Sequence, residues 1–214
     1  MKWQLFTIGL FVFSSVTAQN NKQQYPVPEY ENEIYYLNRD NNTLVRLEKG
    51  NSGLKTKLKL GGFAGSENSF VMENEKSPVQ INEGKSLSFI YFTSESQAEG
   101  KEASNTASKA NKTEQSVFSG WESMYDPSKT TSLYNAFPDQ GTRKVVIQSG
   151  SGMRLIGRAQ ESKKYTFSVH KIRPGYLELV IDKSLPKGEY VFVVMDGLEI
   201  NMDGSASLFA FEIV

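Results

Sequence analysis

The chain has 214 residues, with 24 basic and 24 acidic side chains, one His and no Cys. Balanced charge gives no electrostatic case for nucleic acid, whose binders gather Lys and Arg on one face, and a single imidazole without thiols leaves zinc only carboxylates to bind. With no disulfides available, stability has to come from burial, and a chain of this length can bury roughly 70% of its unfolded surface.

The first segment, "MKWQLFTIGLFVFSSVTAQ", carries Lys2, runs apolar from Leu5 to Val16 and places small side chains at Val16 and Ala18. An apolar run of about 12 residues is too short for a spanning helix, which needs about 20, so residues 1–19 are expected to be a cleaved secretory signal. No Cys follows the small residues, which closes the lipoprotein route, and the later sequence has no comparable apolar run. The mature chain, residues 20–214, is therefore expected to be exported without a transmembrane anchor. Export of a chain without Cys fits a bacterial periplasm, outer-membrane surface or exterior.

Beyond the signal, helical periodicity is scarce and short runs of period two recur. The first predicted strands are Glu33–Leu37, Leu44–Glu48, Leu54–Leu60, Ser69–Glu73, Val79–Ile81 and Leu87–Thr93. "NRDNNT" (Asn38–Thr43) and "KGNSG" (Lys49–Gly53) carry turn chemistry between them. Asn38, Asp40 and Asn42 have the spacing of a calcium loop's first ligands. However, Thr43 stands where the turn Gly belongs and Lys49 where the bidentate Glu belongs, so the segment reads as a polar hairpin turn. In "LKTKLKL", Lys55, Lys57 and Lys59 form a stripe opposite Leu54, Thr56, Leu58 and Leu60. Such a stripe can attract acidic polysaccharide or lipid headgroups, although edge strands also carry Lys to block edge-to-edge association. "GGFAGS" (Gly61–Ser66) has no helix after it and reads as a bulge or connection. "NEGKSL" (Asn82–Leu87) contains the end of a phosphate-binding loop, but Val79 replaces the pattern's first Gly and a strand follows.

Residues 94–118 interrupt the strands. "SESQAEGKEASNTASKANKTEQS" (Ser94–Ser116) has no aromatic or branched apolar side chain, so it buries too little to offset its ordering entropy and is expected to be a mobile insertion. Next comes "SGWESMYDP", whose Trp121 and Tyr125 either pin the loop to the core or stack on a sugar or a partner side chain. The second half predicts strands over Thr131–Phe137, Arg143–Gln148, Tyr165–Ile172, Tyr176–Ile181, Tyr190–Met195 and Ser207–Ile213. In "YTFSVHKI", Tyr165, Phe167 and Val169 share one face, which turns His170 to solvent. No Gly-x-Ser-x-Gly elbow exists to use that imidazole. Asp196, Glu199 and Asp203 surround turn residues and read as solvated acids. "YVFVVM" is apolar on both faces, which places it inside a sheet with its second face covered.

"EIYYLNRDNNTLVRLEK", "GGFAGSENSFVMENEKSPV" and "LPKGEYVFVVMDG…MDGSASLFAFEI" together resemble a group of uncharacterised exported β-rich proteins of the Bacteroidetes. The C-terminal part also resembles type IX secretion sorting domains, small β-sandwiches with a Pro-x-Gly-x-Tyr strand entry like Pro186, Gly188 and Tyr190. Those domains finish on a Lys-led apolar strand, whereas this chain ends "SLFAFEIV". The resemblance implies an exported compartment and a β-rich fold.

Many short strands with turns every eight to twelve residues predict an all-β, antiparallel β-sandwich of immunoglobulin-like or jelly-roll-like kind, in one domain with a long insertion. With no nucleophile set, metal cluster or cofactor loop in the sequence, the expectation is a non-catalytic protein without cofactor or metal. It would bind another protein or an envelope component through Trp121, Tyr125, Lys55, Lys57 and Lys59. The alternative is a carbohydrate-binding or carboxylate-based glycan-processing protein, which needs two acids across a groove. Docking by strand addition at an unpaired edge is a third possibility.

Overall fold

The computed structural model describes residues 25–58, 65–84, 86–93, 127–149, 160–195 and 204–214. The expected signal segment, the expected insertion over 94–118, Lys59, Trp121, Tyr125 and Asp196–Asp203 lie outside them. The described chain is nearly all β. Its first half forms β1 (Glu33–Asn38), β2 (Thr43–Arg46), β3 (Glu48–Ser52), β4 (Lys55–Leu58), β5 (Ser66–Glu73), β6 (Gln80–Ile81) and β7 (Ser88–Phe92). A single helical turn, α1 (Pro127–Thr130), leads into β8 (Thr131–Asp139), β9 (Thr142–Ser149), β10 (Lys164–Tyr165) and β11 (Phe167–Arg173). The chain ends with β12 (Tyr176–Ile181), β13 (Gly188–Val194) and β14 (Ala206–Ile213).

These strands make two sheets. One has the order β11-β12-β7-β1-β2; the other runs β3-β14-β13-β8-β9-β5-β4, with β10 on β8 and β6 on β14. Every pairing is antiparallel except that of β6 with β14. The sheets meet over one apolar core to which both contribute: Ile34, Phe89 and Leu179 from the first, Tyr190, Phe192, Phe209 and Phe211 from the second. The Phe89 ring lies 5.0 Å from that of Phe192 and 4.9 Å from that of Phe211, within the range of favourable aromatic contact. The predicted all-β sandwich is what the chain builds.

The second sheet is curled. β3 and β4 stand at opposite ends of its strand path, yet only Gly53 and Leu54 join them. A link that short spans at most about 10 Å, so the two ends of the sheet must come together. They do so along β5: the Val71 amide donates to Ser52 Oγ at 3.1 Å, and Gly50 lies against Met72. The curl encloses a second apolar cluster of Phe70, Met72, Val145, Val191, Val193, Ala206, Leu208 and Ala210. This accounts for "YVFVVM". In β13, Tyr190, Phe192 and Val194 enter the inter-sheet core while Val191 and Val193 fill the curl, so both faces need apolar side chains.

Two expectations need correction. "KGNSG" is not a turn: Glu48–Ser52 is a strand laddered to Ala206–Ala210 of β14. Gly50 is there because a Cβ would stand 3.0 Å from Met72 Cε, not because the backbone reverses. In addition, two predicted strands are each two strands. The chain changes sheets at buried Leu47, whose amide donates to the Ile34 carbonyl, and again at Thr166. Elsewhere the turn residues act as expected. Asn42 and Gly175 have positive φ in hairpin turns, and the Asp40 amide donates to Asn38 Oδ1.

Candidate functional site

The lysine stripe lies on β4, the terminal strand of the curled sheet. Its register sets Lys55 opposite Ser69 and Lys57 opposite Glu67, with Thr56 opposite Asn68 and Leu58 opposite Ser66 on the other face. Both faces are open: every residue from Gly53 to Leu58 is exposed. Thr56 Oγ1 donates to Asn68 Oδ1 at 2.8 Å, which fastens β4 to β5 through a polar rather than an apolar contact. Lys55 and Lys57 join no ion pair among the described residues. The Glu67 carboxylate across from Lys57 is engaged by Lys144 Nζ at 3.1 Å. The leucines opposite the lysines are bare as well, Leu58 at 63% exposure and Leu54 at 39%. Alternation in the sequence separates the two faces correctly, but it cannot show that neither is buried, because that depends on β4 ending a sheet.

The other charged clusters are closed on themselves. Arg143 is completely buried at one end of the curl, where Glu48, Glu189 and Glu212 also point inward. Its Nε donates to the Asn74 carbonyl at 2.9 Å, and Nη2 to the Glu73 carbonyl at 3.1 Å. Nη2 and Nη1 also reach Glu48 at 2.6 Å and Glu189 at 3.1 Å, so its charge is fully compensated. Glu189 and Glu212 are register partners on β13 and β14 with opposite perturbations. Burial holds the Glu189 carboxyl above its ordinary value, whereas the Lys76 ammonium at 3.0 Å holds that of Glu212 below it. Carboxyls pushed apart in this way can serve as an acid and a base. Here, however, Arg143 and the Ser77 amide occupy Glu189, while Lys76 and Gln80 occupy Glu212.

On the outer face of the five-stranded sheet, Glu178 is buried between the Arg39 guanidinium and the Tyr25 hydroxyl, and Glu33 pairs with Arg46 and Lys49. Every buried carboxylate among the described residues is thus matched with a cation: Glu33, Glu67, Glu178 and Glu212. His170 is exposed on β11 in register with Glu178, whose two oxygens go to Arg39 and Tyr25 instead. Among the described residues no group of three His, Asp or Glu side chains is placed to hold a metal. Asn82–Gly84 follows β6 and precedes the strand β7, so no helix N-terminus completes a phosphate loop there.

β4 is therefore the place where predicted binding residues and available chemistry coincide. The sequence did not foresee the Arg143 plug, since an isolated Arg in "TRKVVIQ" carries no periodic signal. Comparison with known proteins gives no matching family model, no matching curated protein and no matching solved structure.

Proposed function

We propose that the chain is an exported, non-catalytic β-sandwich protein that binds another protein or an envelope component, with Lys55 and Lys57 of β4 in the contact surface. One observation carries this reading. Among the described residues Lys55 and Lys57 of β4 have no ion-pair partner and stand beside exposed Leu58, with exposed Leu54 just before the strand, whereas every buried carboxylate is consumed by an internal cation. Exposed leucine beside lysine offers a partner both apolar area to cover and charge to match. Scaffold ion pairs instead hold strands in place.

The test is affinity capture from native envelope extract with the wild-type chain and with the Lys55→Ala/Lys57→Ala variant, read by mass spectrometry. A partner captured by the wild type should be lost or strongly depleted with the variant. Retention of every wild-type partner by the variant, or turnover of a small molecule by the pure protein, overturns the assignment.

A further inference from the structure

We infer that β4 receives an extended segment of another protein as an added strand, and that this segment alternates acidic with apolar residues. The inference rests on the binding role proposed above and names its mode and the chemistry of its partner.

The backbone supplies the first part. Among the described residues β4 pairs with β5 alone, so alternate N–H and C=O groups of Lys55–Leu58 point away from the sheet. Such a row is a template for a further strand. The side chains supply the second. A strand laid beside β4 sets its residues directly opposite, with Cβ atoms about 5 Å apart, and alternates their faces in step with β4. On one face they meet Lys55 and Lys57, where acids are favoured. On the other they meet Thr56 and Leu58, with Leu54 just beyond, where apolar side chains remove bare leucine from water.

The same pattern excludes other occupants. A second copy pairing through its own β4 would bring lysines against lysines, which is repulsive at that distance, or, shifted by one residue, lysines against Thr56 and Leu58, which leaves the ammonium groups without counter-charge and the leucines without apolar cover. An anionic glycan would satisfy the ammonium groups but leave the leucines wet and the outward backbone groups without ordered partners. A strand that merely blocks association needs the lysines but has no use for Leu58 at 63% exposure. The other strand ends differ: on β2, Arg46 is committed to Glu33, and on β11, Phe167, Val169 and Ile172 are already half-buried.

The experiment uses the full mature chain and a capped synthetic peptide alternating Glu with Val. Three comparison probes accompany it: the same peptide with Lys for Glu, the Glu/Val peptide N-methylated at alternate amides, and oligogalacturonate. Affinity is measured by calorimetry and amide exchange at Lys55–Leu58 by NMR. In the free protein alternate amides of β4 should exchange fast, and the Glu/Val peptide should slow them. Binding should weaken about tenfold in Lys55→Gln/Lys57→Gln, since two cross-strand charge pairs are lost, and should vanish for the Lys/Val and N-methylated peptides.

The inference is overturned if all four amides are already protected without peptide, or if the Glu/Val peptide fails to bind. It is equally overturned if the N-methylated peptide binds as well as its parent, or if oligogalacturonate binds in preference to the peptide and leaves exchange unchanged. A native partner that depends on Lys55 and Lys57 while β4 amides continue to exchange freely would overturn strand addition alone and leave the binding role standing. A partner indifferent to both lysines would remove the binding role itself.

Discussion

The Arg143 guanidinium, with no surface exposed, lies 3.1 Å from the Glu189 carboxylate inside one end of the curled sheet. Glu48 and the carbonyls of Glu73 and Asn74 complete its shell, so the plug joins β3, β9, β13 and the end of β5. Removing the cation leaves Glu189 buried without its main counter-charge, and breaking such a pair costs about 3–5 kcal/mol. Arg143→Ala should therefore lower the urea midpoint strongly. Arg143→Ala/Glu48→Ala/Glu189→Ala, which also removes the stranded acids, should recover part of the loss. Equal stability of Arg143→Ala and wild type in equilibrium unfolding would show that the plug does not hold the curl closed.

Glu189 and Glu212 predict opposite pH responses from neighbouring strands. The folded chain holds the Glu212 carboxyl below its ordinary 4.5 through the Lys76 hydrogen bond, so its contribution is present above 4.5 and lost as pH falls through the folded value. Burial holds Glu189 above 4.5, so its contribution is full below 4.5 and fades as pH rises through the folded value. The stability gap between wild type and Glu212→Gln should widen with rising pH below about 4.5, whereas that for Glu189→Gln should narrow with rising pH above about 4.5. Denaturant midpoints measured across that range check both signs, and slopes of the same sign for the two variants would contradict the assignment.

Gly50 and Met72 test the closure of the curl. A Cβ on Gly50 would stand 3.0 Å from Met72 Cε, the far end of a flexible side chain, with Cγ at 3.7 Å and Sδ at 3.9 Å. Gly50→Ala should cost less than about 1 kcal/mol, because the methionine can turn aside. Gly50→Val, which crowds atoms that cannot move as far, should cost about 1–3 kcal/mol. Combining Gly50→Val with Met72→Ala should cost less than the sum of the single changes. Additive losses in thermal or urea unfolding would mean that the two side chains do not meet.

How much the sequence reveals follows from which force makes each strand. Period-two patterning locates β1, β5, β7, β9, β12 and β14 because each buries at least one apolar face, and the unbroken run of β13 correctly signals two covered faces. "EKGNS" escapes notice because β3 owes its conformation to its ladder with β14 and to the space Met72 leaves, not to apolar side chains of its own. Leu47 and Thr166 are invisible as changes of sheet, since a strand that ends at a crossing looks locally like one that continues. The stripe of Lys55 and Lys57 was legible; the exposure of Leu54 and Leu58 beside it was not, since alternation reports which residues share a face and not whether anything covers it.

The segment before β1 yields the last prediction. Pro26 and Pro28 have no amide proton, so Tyr25–Tyr30 cannot ladder and is held instead by phenols on the outer face of the five-stranded sheet. Tyr176 donates to the Pro26 carbonyl at 2.7 Å, Tyr25 to Glu178 at 3.0 Å, and Tyr35 both receives the Tyr30 amide and donates to its carbonyl. Burial pushes the Tyr176 phenol up from 10.0 to about 12, against the opposing pull of Arg173. Because the folded chain keeps that proton longer than the unfolded one, the phenol's contribution is complete below pH 10 and is lost as pH rises through about 12. An ultraviolet titration should show a phenol ionising near pH 12 that is missing from Tyr176→Phe. The variant should lose about 1 kcal/mol, the usual worth of one hydrogen bond. It should also exchange the Tyr30 amide, which donates to Tyr35, faster, with the core strands unaffected. If Tyr176→Phe instead removed a phenol ionising at the ordinary value of 10.0, the Tyr176 ring would not be buried as described, and unchanged stability of the variant would show that the bond to Pro26 holds nothing in place.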